Sequence, residues 1–419
     1  MKVSIANPSI APHVKQNVLA YAERQQLSLF YTGLISHQDD RFSKIIYRLK
    51  GIGKFLSRRS FSLIPIKYIK SRPLPELLRS VASRKLKSTI TDQIWEWSEL
   101  GFDQWVSNQL NINKPDVIHT YEHAALNTLT IAKTLGVLTV YEQPSQHHHF
   151  LTPIIKDQFL KYPMLQSRST DLLINAKSIR RNRRRDMELE IADIVLCNST
   201  FTKETLIKSG VAENKIKMIP LGFPPVYEKK YPSIYSRPIR FMYAGNQSIR
   251  KGTHLLYEAW RSIGFSAFEA ELWMVGSIDD QLLLGKGMPA NVIIKKNIAH
   301  EQLMELYREI DVLILPTLAD GFGMVVTEAM SQGVPVIATK NSCGLDIIQH
   351  NKDGWIIPAG EVEPIVKTMK WIFNNKACLA NFGSAAIAKS KSWQWEDYRK
   401  ALTDLVELEW KKKQQSRSV

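Results

Sequence analysis

The sequence predicts an α/β protein with two domains, each built on a parallel sheet. The chain has 419 residues, which is too long for one small core. Short β-branched runs alternate with helix-length amphipathic segments, and this alternation is typical of strand–helix units that feed a parallel sheet. A proline-rich stretch at residues 220–238 separates two such series and predicts the domain boundary.

Each domain has its own set of predicted strands. In the first domain, residues 1–221, these are Val3–Ala6, Leu27–Tyr31, Val117–His119, Leu138–Tyr141, Ile194–Leu196 and Ile216–Ile219. In the second, residues 222–392, they are Ile239–Tyr243, Leu272–Val275, Val292–Lys295, Val312–Leu315, Val334–Ala338 and Trp355–Ile357. We expect helices to cover both faces of each sheet. Residues 393–419 are predicted to form a helix through Trp410 and a frayed basic tail from Lys411.

The composition indicates a packed soluble protein. Hydrophobic residues make up 44% and charged residues 23%, which argues against disordered and fibrous classes. No run of about 18 apolar residues occurs and the N-terminus lacks a signal-peptide pattern, so we expect a cytoplasmic protein. Cys197, Cys343 and Cys378 are odd in number and lack CxxC spacing, so they predict neither a disulfide framework nor a zinc site.

The net charge of +16 is concentrated in one segment of the first domain. Residues 41–87 contain fourteen Lys or Arg and a single acid, Glu76. Apolar residues such as Phe42, Ile45 and Phe55 interleave with these charges, a pattern typical of surfaces that dock on anionic lipid. A solvated insertion and a nucleic-acid-binding segment are the alternatives. Because no nucleic-acid-binding module accompanies the segment, we interpret it as a basic insertion that contacts the inner face of a membrane.

The most informative stretch lies between residues 315 and 337. A buried strand ends at Pro316, Gly321 and Gly323 follow in a loop, and a helix is predicted from near Phe322 to just before Gly333. Ligands of open α/β sheets bind at such carboxyl ends of strands, where glycines let a ligand approach the backbone amides.

Two acids belong to this stretch. Asp320 stands at the mouth of the loop, and Glu328 lies on the helix, where its carboxylate can accept hydrogen bonds from paired hydroxyls. The plainer interpretation is a helix-capping aspartate and a solvated glutamate.

The spacing Asp320-x7-Glu328 resembles the acid-x7-Glu motif of the retaining glycosyltransferases of family 4. That family has the GT-B fold, two Rossmann-like domains that face each other across a cleft, and its last helix crosses back to the first domain. The resemblance implies that Glu328 binds the ribose of a nucleotide-sugar donor. It also implies that Asp320, Met324 and the Gly321–Phe322–Gly323 backbone contact the donor, and that Asp320 has a catalytic role. Asp320 departs from the family pattern, in which this acid is more often Glu.

A second family-like element lies at residues 243–252, where a strand ends at Gly245 and a helix begins near Gly252. Lys251 matches the family lysine that neutralises the donor diphosphate, which gives it a catalytic role. Asn246 replaces the usual arginine, so Arg250 or a nearby basic residue is the candidate to supply the missing cation. The alternative is an ordinary surface Arg–Lys pair before a helix.

By the same resemblance, the first domain supplies the acceptor side and a histidine close to the sugar. The candidates after strand ends are His119, Glu122, His123, His147, His148 and His149, and His13 lies at the start of the first helix. We choose His147 as the catalytic histidine and assign His13, His119, Glu122 and His148 to the acceptor side. Three adjacent histidines also suit a metal, but consecutive residues of an extended loop point in different directions. We therefore predict no metal site; a purely structural role for each histidine is the alternative.

The predicted function is a metal-independent retaining glycosyltransferase without a cofactor. Lys251 and helix N-termini would stabilise charge on the leaving diphosphate. By the resemblance, retention occurs on the front face without an enzymic nucleophile. The donor would be a nucleotide-sugar and the acceptor a hydroxyl of a polysaccharide, lipid-linked or small-molecule glycoside. The alternative is an inactive scaffold of this fold or a polyanion-binding protein at the membrane surface.

Overall fold

A computed structural model describes residues 1–39, 59–86, 88–166, 170, 176–228, 237–277, 280–296 and 298–416 of the protein. Within them the chain forms two parallel sheets of seven and six strands, each covered by helices, as the sequence predicts. None of the helices in these ranges combines the length and the apolar character needed to cross a bilayer.

The first sheet has the strand order β3-β2-β1-β4-β5-β6-β7, and every neighbouring pair is parallel. Three central strands, β1, β4 and β5, are buried along their whole length, as expected when helices cover both faces. The strands are β1 Val3–Asn7, β2 Leu27–Thr32, β3 Ile69–Ser71, β4 Val117–Tyr121, β5 Leu138–Glu142, β6 Ile194–Cys197 and β7 Ile216–Met218.

The second sheet has the order β10-β9-β8-β11-β12-β13 and is also parallel throughout. Its order reverses between β8 and β11, and at this switch point the loops after the two strands lie next to each other. The strands are β8 Ile239–Ala244, β9 Ala270–Val275, β10 Val292–Lys295, β11 Val312–Leu315, β12 Val336–Thr339 and β13 Gly354–Ile357.

Helices connect the strands and cover the sheets. They are α1 Pro12–Glu23, α2 Pro73–Lys85, α3 Ser88–Leu110, α4 Leu126–Thr134, α5 His148–Lys161, α6 Ala176–Ile191, α7 Thr200–Lys208, α8 Thr253–Ile263, α9 His300–Glu309, α10 Val325–Ser331, α11 Gly344–Ile347, α12 Glu363–Asn374, α13 Leu379–Lys391 and α14 Trp395–Gln415. Short 3-10 turns occur at Ile66–Tyr68, Pro163–Leu165, Glu213–Lys215, Ile249–Lys251, Asp280–Leu283 and Lys376–Cys378.

The chain passes between the two sheets at two adjacent places. The two crossings touch each other: Gly222 in the first lies so close to Gln394 in the second that a Cβ on Gly222 would come within 2.6 Å of the Gln394 carbonyl carbon. Next to this contact, the Phe223 amide donates to the Trp393 carbonyl over 3.0 Å. Helix α14 then packs on α1, where the Tyr398 hydroxyl donates to Asn17 Oδ1 over 2.8 Å. Since the first sheet ends at residue 218 and the second begins at 239, the exact boundary at 221/222 stays a prediction.

All twelve predicted strands overlap observed ones, and the differences are local. Strand β3 was not predicted, because three residues at a sheet edge are too few for a hydrophobic pattern. Helix α10 begins at Val325 and not near Phe322, since the loop holds Gly323 in a left-handed conformation with a φ of 85°. The expectation of a frayed tail from Lys411 is wrong, because α14 continues to Gln415.

The basic segment 41–87 is only partly described, and its residues 41–58 lie outside the described ranges. The part from 59 onward belongs to the first domain itself. It contributes β3, which pairs with β2, and α2, which packs on α3. At least this part is therefore an element of the sheet domain and no separate insertion.

Candidate active site

A cavity of about 390 Å³ lies where loops from the two sheets meet. Its walls come mainly from the residues that follow β5, β6, β8 and β11, so it sits at the carboxyl ends of strands from both sheets. The second domain contributes Ala244, Gly245, Asn246, Ser248, Arg250, Lys251, Asp320, Phe322, Gly323, Met324 and Val325. The first half of the chain contributes His13, Pro144, Asn198 and Leu221.

Two cations and one carboxylate stand together in this cavity. The Lys251 ammonium pairs with the Asp320 carboxylate, and Arg250 Nη1 lies 3.7 Å from Asp320 Oδ1. Burial alone would raise the pKa of Asp320, but the charges of Lys251 and Arg250 outweigh it and hold that pKa below its ordinary value. The carboxylate is therefore ionised, and one positive charge of this group remains to attract an anion.

Local structure fixes the positions of both cations. The 3-10 turn Ile249–Lys251 is capped by Ser248, whose Oγ accepts from the Lys251 amide over 3.3 Å. Arg250 Nη1 donates to the Ala319 carbonyl over 2.8 Å, which binds the loop after β8 to the loop after β11. Asn246, at the position where family 4 usually has arginine, receives a hydrogen bond from Ser277 Oγ over 3.2 Å.

The glycine loop closes one side of the cavity against the first domain. A Cβ on Gly321 would collide with the Pro144 carbonyl oxygen, so only glycine allows the two loops this contact. The Gly321 carbonyl also accepts hydrogen bonds from the hydroxyls of Ser199 and Thr202, both near the N-terminus of α7. Loops of the two domains are thus in direct contact at this edge of the site.

Glu328 lies on α10 beside the cavity and is 7% exposed. Its Oε2 accepts from the Tyr307 hydroxyl over 3.0 Å, and its Oε1 lies 3.0 Å from His300 Nε2. The hydrogen bond to Glu328 raises the pKa of His300. Since each carboxylate oxygen has two acceptor positions, Glu328 can accept further hydrogen bonds. Sequence reasoning missed Tyr307 and His300, because both lie on another helix without a motif of their own.

The histidine that lines the cavity is His13 and not His147, which corrects our choice of catalytic histidine. His13 is partly buried at the second position of α1, and its ring centroid lies 5.9 Å from that of Tyr121. Burial lowers the pKa of His13, so its imidazole is neutral at pH 7. His147 faces another way because it caps α5: its Nδ1 accepts from the His149 amide over 3.3 Å, and its Nε2 points to Asp186.

The other residues assigned to the acceptor side are held away from this cavity. His119 is fully buried, with its ring nitrogens 3.1 Å from the Tyr21 hydroxyl and from Glu142 Oε2, so it cannot touch an acceptor. Glu122 accepts from Ser145 Oγ over 2.6 Å and pairs with Arg185. His148 Nε2 lies 2.7 Å from Asp186 Oδ1.

The cavity also contains residues that we did not predict. These are Pro144, Asn198, Leu221, Ala244, Ser248 and Val325. Their position just after strands was the available signal for Pro144, Asn198 and Ala244, since such positions meet at one edge of a parallel sheet. Leu221 gave no such signal, because it belongs to the connection between the domains.

Part of this chain matches a protein family, and the chain is similar in sequence to curated glycosyltransferases. Residues 228–389 match the family described as glycosyl transferases group 1. The chain is 24% identical over 208 residues to the capsular polysaccharide biosynthesis glycosyltransferase CapM of Staphylococcus aureus, covering 45% of this chain and 54% of CapM. It is 27% identical over 305 residues to the sulfoquinovosyl transferase SQD2 of Arabidopsis thaliana, covering 67% of this chain and 54% of SQD2. The chain thus spans about half the length of these curated relatives.

The fold matches solved structures over almost the whole chain. HepE of Anabaena, solved with UDP-glucose, superposes with a TM-score of 0.61 and 17% identity, covering 97% of this chain and 99% of HepE. At this level of identity the match concerns the fold, and it confirms the predicted arrangement of two parallel-sheet domains. Residues 228–389 therefore match the glycosyl transferases of group 1, and the chain has the GT-B fold.

Proposed function

We propose that this protein is a retaining glycosyltransferase of family 4 that moves a sugar from a nucleotide-sugar to a hydroxyl acceptor. The observation that carries the proposal is the group formed by Lys251, Arg250 and Asp320 in the cavity between the two domains. HepE, which shares the fold, was solved with UDP-glucose, and this supports a nucleoside diphosphate sugar as the donor.

The cations suit the departure of a diphosphate. Breaking the bond to the anomeric carbon leaves negative charge on phosphate oxygens, and fixed cations in a partly buried site stabilise this charge as it develops. Lys251 and Arg250 provide such cations on a turn whose geometry is already set by Ser248. This supports a mechanism in which protein side chains supply the positive charge and no divalent metal is required.

The acidic content of the cavity agrees with retention without an enzymic nucleophile. Among the described residues that line it, Asp320 is the one carboxylate, and it is paired with Lys251. A carboxylate engaged by an ammonium is a poor nucleophile because its lone pairs and charge are already used. We infer that the acceptor attacks from the face of the leaving diphosphate, whose oxygens take the acceptor proton.

Glu328 is our candidate for binding the donor ribose. Tyr307 and His300 hold its carboxylate in one orientation, and acceptor positions remain for the two ribose hydroxyls. On the opposite wall, neutral His13 can accept or donate a hydrogen bond to the transferred sugar or to the acceptor.

We further propose that the protein acts in the cytoplasm on the inner face of a membrane. Helix α2 exposes Leu74, Leu78 and Val81, whose spacing places them on one face of the helix. This face lies within the basic segment 41–87, and exposed apolar groups among basic residues suit an anionic lipid surface. Such a position would bring a lipid-linked or polysaccharide acceptor to the cleft.

Liposome co-sedimentation tests the membrane contact. Wild type should pellet with vesicles that contain anionic lipid, and the double change Leu74→Asp and Leu78→Asp should reduce the pelleted fraction several-fold. Leu408→Asp is the matched control, since Leu408 is an exposed leucine on α14. Equal pelleting of wild type and the double variant would contradict this proposal.

Thermal shift with a panel of UDP-, GDP- and ADP-sugars tests the main proposal. A donor that binds the folded protein should raise the Tm, by an amount that grows with ligand concentration. The best ligand is then assayed for hydrolysis and for transfer to acceptors. If no sugar nucleotide shifts the Tm and none is turned over, the protein is an inactive scaffold of this fold.

A further inference from the structure

Two adjacent histidines and an aspartate converge outside the cleft. His147 Nε2 lies 3.1 Å and His148 Nε2 2.7 Å from Asp186 Oδ1, and the three ligand atoms all lie within 4.8 Å of one another. Both histidines are buried, with relative exposures of 3% and 8%. Asp186 comes from α6, so the cluster joins the start of α5 to another helix.

The helix start explains why adjacent side chains point the same way. His147 is the residue before α5 and has an extended backbone with a φ of −62° and a ψ of 142°, whereas His148 is the first helical residue. The change of backbone direction between them brings the two rings to a centroid distance of 4.2 Å. Consecutive histidines diverge in an extended loop, but here the loop ends at His147 and the helix begins at His148.

We propose that His147, His148 and Asp186 form a binding site for a divalent transition metal, with Zn²⁺ as the first choice. Two imidazole nitrogens and one carboxylate oxygen are ligands that Zn²⁺ accepts. With bonds of about 2.0–2.1 Å, tetrahedral zinc holds its ligand atoms roughly 3.3 Å apart. The two distances from Asp186 Oδ1 to the histidine nitrogens, 3.1 and 2.7 Å, are close to this value, and all three ligand atoms lie within 4.8 Å of one another.

The site has room for a further ligand. Asp186 is 41% exposed and lines a cavity of about 420 Å³ together with His147 and His149. The ring of His149 lies 4.3 Å from that of His148, centroid to centroid. Water from the cavity or His149 therefore supplies the fourth position of a tetrahedral site.

Metal binding moves a proton within His147. In the free form the Nδ1 atom accepts from the His149 amide, so the imidazole proton is on Nε2 and is donated to Asp186. Coordination through Nε2 requires this proton on Nδ1, and the cap contact of 3.3 Å is lost. A metal–nitrogen bond would thus replace two contacts of His147, the 3.3 Å cap contact and the 3.1 Å hydrogen bond from Nε2 to Asp186.

The proposed metal would have a structural role. None of its three ligands lines the cavity that contains Lys251 and Asp320, so the site is separate from the proposed transfer reaction. It would fasten the segment from Glu142 to His147, and this segment includes Pro144, whose carbonyl touches Gly321. Metal would thus stiffen the first-domain wall of the cleft.

Calorimetry on chelator-treated full-length protein tests the site, with Zn²⁺ as the titrant. We expect about one Zn²⁺ per chain and a Tm that rises with Zn²⁺ concentration. His148→Ala and Asp186→Asn should each weaken binding at least tenfold. Asp186→Asn keeps an acceptor oxygen for the histidines, so it separates metal binding from loss of folding. His350→Ala controls for the number of histidines, since His350 is exposed and far from the cluster in sequence.

Replacing Zn²⁺ by Co²⁺ adds a spectroscopic readout, because d–d absorption reports the ligand geometry. Wild type should give the intense bands of a tetrahedral site, and Asp186→Asn should lose them. If wild type binds no Zn²⁺, or if Asp186→Asn binds it as tightly as wild type, the proposal is overturned. The cluster is then a hydrogen-bonded cap of α5 only.

Discussion

The two walls of the cleft differ in charge. The second-domain wall carries Lys251, Arg250 and Asp320 in mutual contact, whereas the first-domain wall presents His13, Pro144, Asn198 and Leu221. Burial lowers the pKa of His13, so none of these four first-domain side chains is charged at pH 7. Under the proposed function, this difference in charge would place binding of the anionic donor on the second domain and contact with a neutral acceptor on the first.

Replacing Lys251, a cation of the second-domain wall, should have the largest effect on the difference in charge between the two walls. Lys251→Ala is expected to lower kcat by about 10²–10³, because charge on the leaving phosphate is greatest in the transition state. Steady-state kinetics measures the effect, and Lys352→Ala, a change of an exposed lysine, is the control. A rise in KM at constant kcat would show instead that Lys251 binds substrate and transition state equally.

Glu328→Gln should weaken donor binding without affecting the first-domain wall. A hydrogen bond to a charged group contributes about 1.5–3 kcal/mol, so affinity for the nucleoside diphosphate should fall tenfold or more. Calorimetry gives the affinity, and the Tm shows whether the fold is kept. Glu363→Gln, at an exposed glutamate, should bind as wild type does. Unchanged affinity in Glu328→Gln would remove this residue from the donor site.

His13→Ala should slow sugar transfer without weakening nucleotide binding. Loss of one hydrogen bond of about 1.4 kcal/mol would lower the rate of transfer about tenfold, while nucleotide affinity stays at the wild-type value. His13→Asn, which keeps a hydrogen-bonding group, should recover part of the rate. An equal loss of nucleotide affinity in His13→Ala would mean that the two walls do not divide the substrates in this way.

The smallest effect concerns His300 and pH. Its pKa is raised in the folded protein by Glu328, so this contact stabilises the fold below the unfolded pKa near 6.5 and is lost as the pH rises through the folded pKa. The Tm of wild type should exceed that of His300→Ala more at pH 6 than at pH 8.5. The His300 side chain is 57% exposed, and solvent screening limits the difference to about 1 °C. A pH-independent difference would show that the contact is insensitive to charge.

The sequence predicted the second-domain wall better than the first-domain wall, for a physical reason. Lys251 and Asp320 lie in loops directly attached to buried strands, and the predicted strands β8 and β11 place these loops side by side. Spacing along the chain therefore carries the geometry of this wall.

The first-domain wall depends on contacts that spacing does not encode. His13 reaches the cavity from α1. His147 does not line the cavity, because it caps α5 and its ring points to Asp186, which lies 39 residues further along the chain. Likewise, Tyr307 reaches Glu328 from a different helix. Such side-chain partners are set by how helices pack, and a single sequence gives no measure of that packing.

The double crossing near Gly222 and Trp393 limits how the two halves can move. A single connecting segment would let one half swivel and tilt freely on the other, but two segments joined by the Phe223–Trp393 hydrogen bond resist twisting. Relative motion of the two halves would then be mainly a rotation about one axis through these two segments. Each opening of the cleft would separate Gly321 from Pro144 along the same path. Under the proposed function, substrate would enter and product would leave by that path.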